Sequence, residues 1–247
     1  MLGGQNCIPE GPTRAVKRLT KTTSMKTKEP TIRVISDTHF DTKATPSSIV
    51  RRGVRPPIHT TLTLEGLRRL NPQDILIHLG DVIDKEEKNL AGFMEQCPAR
   101  TKILCLGNHD KHSIHWYLRA GFSAVVETFT LKYGGRTILF SHHPVMTMQY
   151  RLTDALSDPR RREYHLPDGI DLNIHGHLHL RNHRDEESAW QDEEDERWFL
   201  FSLEAIGYRP VKLDDILHGK VPRVLKQDAL KYVHDPEKVH FDPIPKK

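Results

Sequence analysis

Short apolar runs recur along the chain, each ending at a polar turn that carries Asp, Asn or His. Residues 31–36 (Thr31-Ile32-Arg33-Val34-Ile35-Ser36) are rich in β-branched side chains and predict a strand. Residues 74–79 and 101–106 are continuous apolar stretches of the kind that form strands covered on both faces. Between them the spacing becomes helical, first at Leu62, Leu64, Leu67 and Leu70, where Asn71-Pro72 stops it. It returns over 85–96, with Leu90, Phe93 and Met94 on one side and Pro98 beyond, and again over 112–120. Residues 41–58 hold Pro46, Gly53, Pro56 and Pro57 and predict a long loop.

After Gly121 strand follows strand, over 123–130, 136–140, 170–174 and 198–202, with Tyr133-Gly134-Gly135 as a hairpin turn. A short helix is expected over 213–217. Strands that alternate with helices and then give way to a β-rich half predict an α/β sandwich of two mixed sheets flanked by helices. No internal repeat is visible.

Composition narrows the class. The 247 residues, 36% hydrophobic and 28% charged, suit one domain with a substantial core and a charged surface. No apolar stretch approaches the roughly 20 residues of a membrane span, and the polar, basic start lacks the apolar segment of a signal peptide. Cys7, Cys97 and Cys105 are too scattered for a disulfide framework, so a cytoplasmic location is expected and no membrane partner. The net charge of +4 is uneven. Arg14, Lys17, Arg18, Lys21, Lys26 and Lys28 make residues 1–30 a basic, disordered leader by expectation, whereas 185–196 is an acidic run expected to form an exposed loop. The ordered domain is expected over 31–217, and 218–247 as a charged tail.

The candidate chemistry sits at the ends of the apolar runs, where α/β sheets place their sites. Asp37 and His39 follow the first strand, Gly80-Asp81 the second and Gly107-Asn108-His109-Asp110 the third. His142 follows the run 136–140, and His175-Gly176-His177-Leu178-His179 follows 170–174. Any one of these could be an ordinary turn. Three histidines in five residues after an apolar strand favour metal binding, and five such strand ends in order are not what a core requires.

In these motifs the chain resembles the calcineurin-like metallophosphoesterase superfamily, whose pattern spans residues 32 to 179. It is most similar to the small bacterial and phage-type single-domain branch. The likeness rests on Asp37-Thr38-His39-Phe40, Arg55-Pro56, Ser141-His142-His143-Pro144 and the ending Tyr208-Arg209-Pro210-Val211-Lys212-Leu213-Asp214-Asp215. The resemblance implies one metal on Asp37, His39, Asp81 and His179 and another on Asp81, Asn108, His142 and His177, bridged by Asp81 and about 3.5–4 Å apart. Asp-x-His and His-x-His would each put two side chains on one side of an extended turn. Four imidazoles, two carboxylates and an amide favour Mn, Fe, Zn, Ni or Co over Mg or Ca.

The implied reaction is hydrolysis of a phosphate ester by a metal-bridging hydroxide. His109 would stabilise the transition state or protonate the leaving alkoxide, Asp110 would orient His109, and Asp84 would support the site. Gly-Asn-His-Asp, rather than the Gly-Asn-His-Glu of Ser/Thr phosphatases, tips the expectation slightly toward phosphodiesters over monoesters. A nuclease acting on DNA or RNA is the first alternative, with Arg51, Arg52, Arg55, Arg151, Arg160, Arg161, Arg162 and Tyr150 as candidate nucleic-acid contacts. A non-catalytic scaffold of the same fold is the second. Of the adjacent pair His142 and His143, only one is expected to ligate, because neighbours on a strand face opposite ways. His175 is expected to support the site, His78 to be a core histidine, and His112 and His115 to lie beside the site.

Overall fold

The computed structural model describes residues 30–51, 55–84, 87–145, 147–149, 163–179 and 197–221, with the backbone alone for 147–149 and 163–165. The leader, the acidic run, most of the tail, Cys7, Arg52, Tyr150, Arg151 and Arg160 to Arg162 lie outside the described residues.

The first half winds one strand after another in parallel, because each is followed by a helix that carries the chain back. Strand β1 (Ile32–Ile35) leads through helices α1 (Ser48–Arg51) and α2 (His59–Leu67) to β2 (Ile75–His78). Helix α3 (Leu90–Met94) leads to β3 (Thr101–Cys105), and α4 (Ile114–Arg119) to β4 (Ala124–Val126). All four strands run parallel, with Val34 opposite Ile77 and Ile77 opposite Ile103. Val34, Ile35, Leu76 and Leu104 are fully buried, as expected of parallel strands with helices over them.

The second half folds back on itself. Strands β5 (Thr128–Tyr133) and β6 (Arg136–Ser141) form an antiparallel hairpin. Its turn is Gly134-Gly135, with φ of 57° and 76°, the double left-handed turn that matches strand twist. A two-stranded antiparallel sheet of β7 (Thr147–Gln149) and β8 (Glu163–His165) follows. Strands β9 (Leu172–His175) and β10 (Trp198–Leu200) add in parallel to β6. Strand β11 (Val211–Lys212) returns antiparallel to β1, and α5 (Leu213–Leu217) follows it. The sheets are therefore mixed, in the orders β11-β1-β2-β3-β4 and β10-β9-β6-β5. Stacked Phe40 and Phe93 (5.1 Å) and Phe129 and Phe140 (5.0 Å) fill the core, along with buried Cys97 and Cys105.

Local patterning misled in three places. The run 123–130 is two strands, β4 in one sheet and β5 in the other, with Glu127 as the crossover between them. An apolar period of two is the same on both sides of such a switch, so the sequence conceals it. The loop 41–58 contains the single helical turn α1, and the helix expected over 85–96 is only Leu90–Met94. There Glu87 accepts the backbone N–H groups of Lys88 and Asn89, a local bond that competes with helix.

Candidate metal centre

Left-handed backbone brings the motif residues together. Asp37, His39, Asp81, His177 and His179 have φ of 52°, 41°, 53°, 74° and 54°. Such a conformation costs an L-residue about 1–2 kcal/mol and persists where the surroundings over-determine it. The extended turn expected for Asp-x-His is thus replaced by a coiled one. It is locked by bonds from the N–H groups of Asp37, His39 and Phe40 to the carbonyls of Gly80 (2.9 Å), Asp81 (2.9 Å) and Val82 (2.8 Å). Gly80 has φ 92°, and a Cβ there would lie 2.7 Å from the Gly107 nitrogen and His142 Nδ1. A Cβ on Gly176 would strike Ser36 Oγ and the Asp37 carboxylate. These glycines let three strand ends close on one point.

Each buried imidazole is aimed by its outer nitrogen. His39 Nδ1 donates to Asp84 Oδ1 (3.0 Å), His142 Nδ1 to the Leu79 carbonyl (2.7 Å) and His179 Nδ1 to Glu204 Oε1 (3.2 Å). Each Nε2 then turns inward. His39 Nε2 lies 3.6 Å and His142 Nε2 3.4 Å from the same atom, Asp81 Oδ2, while His179 Nε2 lies 3.6 Å from Asp37 Oδ1. On the other side His142 Nε2 is 2.9 Å from Asn108 Oδ1 and 3.2 Å from His177 Nδ1. Asp81 Oδ1 accepts the backbone N–H of His109 (2.7 Å), leaving Oδ2 between the two groups of donors.

These residues fit metal ions. His39 Nε2 is buried with no hydrogen-bond partner, which a cation would supply. Burial lowers the pKa of His39, so it presents a lone pair, and burial beside His142 and His143 drives His177 down to about 3. Burial also opposes charge on His142, but Asp81 and Asp37 outweigh it and hold the imidazolium up to about 9. The proton kept on His142 offsets part of the carboxylate charge.

Asp110 does not orient His109. Its Oδ2 accepts the N–H groups of Asp81 and Gly107 (2.8 Å each) and its Oδ1 that of Val82 (3.0 Å), clamping the second and third strand ends together. Burial and the charge of Asp81 raise its carboxyl to about 6. Asp84 orients His109 instead, with Oδ1 3.0 Å from His109 Nδ1 and 3.0 Å from His39 Nδ1. Asp110 is next to His109 in the chain, but its side chain turns back beneath the loop.

Arg55 is not a substrate contact either. It is buried, donates from Nε to Glu204 Oε1 (2.7 Å) and from Nη1 to the carbonyls of Asp37 and Thr38, and its Nη2 is 3.1 Å from His179 Nδ1. Arg51 is exposed and bonds the Pro46 carbonyl. Glu204 escaped the motif pattern; its one signal is a carboxylate shortly after a strand, at the sheet end that carries the other donors. His78 is a core histidine, receiving the Gly80 N–H (3.2 Å) and bonding Thr38 Oγ1 (2.9 Å), and His175 is buried with Nδ1 on the Gly176 carbonyl (3.1 Å). His143 departs from the expected opposite face. Strand β6 ends at Ser141, so alternation lapses and the His143 ring lies 4.1 Å from that of His177 and 4.8 Å from that of His142.

The model of the calcineurin-like phosphoesterase superfamily domain matches residues 31–192. This chain belongs to that family. The phosphoesterase is similar to a crystal structure of a protein of unknown function from Aquifex aeolicus, with 26% identity and a TM-score of 0.54 over 77% of this chain and 99% of that one. A novel archaeal phosphodiesterase matches more loosely, with 16% identity and a TM-score of 0.33 over 60% of this chain and 72% of that one. No curated protein matches. The family's members are metal-dependent hydrolases of phosphate esters. Among the described residues, no helix is long and apolar enough to cross a membrane.

Two outcomes are expected. Arg55→Met strands Glu204 in the interior and should cost about 3–5 kcal/mol in urea unfolding, and Arg55→Met/Glu204→Gln should recover part of the loss. Because His142 is protonated up to about 9, metal uptake at pH 7 should release about one proton, and affinity should rise with pH until about 9. Calorimetry in buffers of different ionisation enthalpy measures that release; an equal heat in all of them contradicts it.

Proposed function

We propose that this phosphoesterase cleaves its substrate with two divalent ions. Asp37, His39 and His179 would hold one, Asn108, His142 and His177 the other, and Asp81 would be shared. The observation that supports this is one carboxylate oxygen, Asp81 Oδ2, facing His39 Nε2 at 3.6 Å and His142 Nε2 at 3.4 Å. The donor set suits Mn, Fe, Zn, Ni or Co. Such ions, when bound, neutralise phosphoryl charge and bring the pKa of water near neutrality.

The chain's own residues complete the chemistry. The His109 side chain is 31% exposed, unlike buried His39 and His142, and so meets substrate at the mouth. Asp84 accepts from its Nδ1, which fixes the tautomer, steadies the imidazolium and leaves Nε2 to hand a proton to the leaving alkoxide. Asn108 adds an oxygen donor without charge, which keeps the mouth from repelling an anionic ester. A modest preference for diesters rests on Gly107-Asn108-His109-Asp110.

Metal content and turnover of bis- and mono-nitrophenyl phosphate test the assignment together. Asp81→Asn should lose an ion and all activity. His109→Ala should keep its metal while kcat falls about 10²–10⁴-fold. Wild-type protein that binds no metal and cleaves neither ester overturns the proposal.

A further inference from the structure

We propose that His143 is an additional ligand of the ion on the Asn108, His142 and His177 side, so that three imidazoles face it. The inference rests on the two-ion assignment and concerns a residue that the family motif leaves unspecified, the x of Ser-His-x-Pro.

The geometry comes first. Donor nitrogens of His142, His143 and His177 all lie within 4.8 Å of one another. Donors bonded to one ion at about 2.0–2.1 Å lie about 3–4 Å apart, so side-chain adjustment brings the three to bonding distance. The His143 ring already lies against both partner rings, 4.1 Å from His177 and 4.8 Å from His142.

The backbone that carries His143 is held from both sides. Ser141 Oγ donates to the His143 carbonyl (2.6 Å), and the Val145 N–H donates to Asn173 Oδ1 (2.9 Å). Asn173, itself fully buried in β9, donates from Nδ2 to Ser141 Oγ (2.9 Å) and so ties the two anchors together. Pro144 restricts the residue before it to extended backbone. His143 is exposed, yet its main chain is set by a buried network, as a ligand at the rim requires.

The charge pattern supplies the reason. The opposite ion would have Asp37 to itself besides the shared Asp81. Of the described residues assigned to this ion, the one carboxylate is the shared Asp81, and Asn108 is neutral. A third imidazole makes up in donor strength what the site lacks in charge, and it tilts this position toward Zn, Ni or Co and away from Mn.

The test is calorimetric titration of the chelator-treated full chain with Zn²⁺, and separately with Mn²⁺. Wild type should show two binding events. His143→Ala should weaken one of them at least about tenfold for Zn²⁺ and less for Mn²⁺, leaving the other within about twofold. His115→Ala, another exposed histidine, should change neither. Thermal unfolding of the His143 variant in chelator should match wild type, since the side chain is exposed. Two wild-type events that both survive His143→Ala unchanged overturn this proposal and leave the two-ion assignment standing. Fewer than two events in wild type overturn both.

Discussion

Everything in this molecule converges on the Asp81 carboxylate. Its Oδ1 is taken by a backbone N–H, and its Oδ2 is presented to two imidazoles. One, His39, follows the first strand of one sheet, and the other, His142, follows β6 of the second. That meeting requires the strand ends of both sheets to approach within side-chain reach, which only backbone without Cβ atoms at Gly80 and Gly176 permits. It also requires the left-handed turns at the ligands themselves. Their strain is sustained by the sheets, whose ladders and stacked aromatic core leave the loops little choice.

A second constraint follows from burying so many acids together. Asp37, Asp81, Asp84, Asp110 and Glu204 are all nearly inaccessible to water. Each is compensated differently. Asp110 is satisfied by backbone N–H groups, Asp84 by the outer nitrogens of two imidazoles, and Glu204 by Arg55, which holds its pKa well below the usual carboxylate range despite burial. Asp37 and Asp81 are left facing imidazole nitrogens, and the carboxylate pull on His142 shows the potential a cation would meet. The polar framework of the site is therefore a sorting of carboxylates into those held by fixed donors and those that face the inward imidazole nitrogens.

Legibility from sequence divided along the same line. The strand ends carrying Asp37, Asp81, Asn108, His142 and His177 were readable because each follows a run whose apolar character is unmistakable. The parallel half was readable for the same reason. The split of 123–130 between two sheets was not, since the alternation of side chains does not change when the chain crosses from one sheet to the next. The partner of His109 is Asp84 rather than its neighbour Asp110, and Arg55, a candidate nucleic-acid contact by sequence, is buried against Glu204. Both expectations treated proximity in sequence as proximity in space. Asp84 reaches His109 from another loop, and Arg55 bonds Glu204 across most of the chain.

By itself, then, the sequence determined the types of donor, their order and their positions at the ends of strands, because these depend on local hydrophobic period and on residue chemistry. Tertiary structure decided which carboxylate serves which imidazole, that His143 lies against His177, and that Arg55 anchors the interior of the site. Those pairings depend on how two sheets pack and where their loops cross, and no local pattern encodes the distance between residues that meet only when the sheets close.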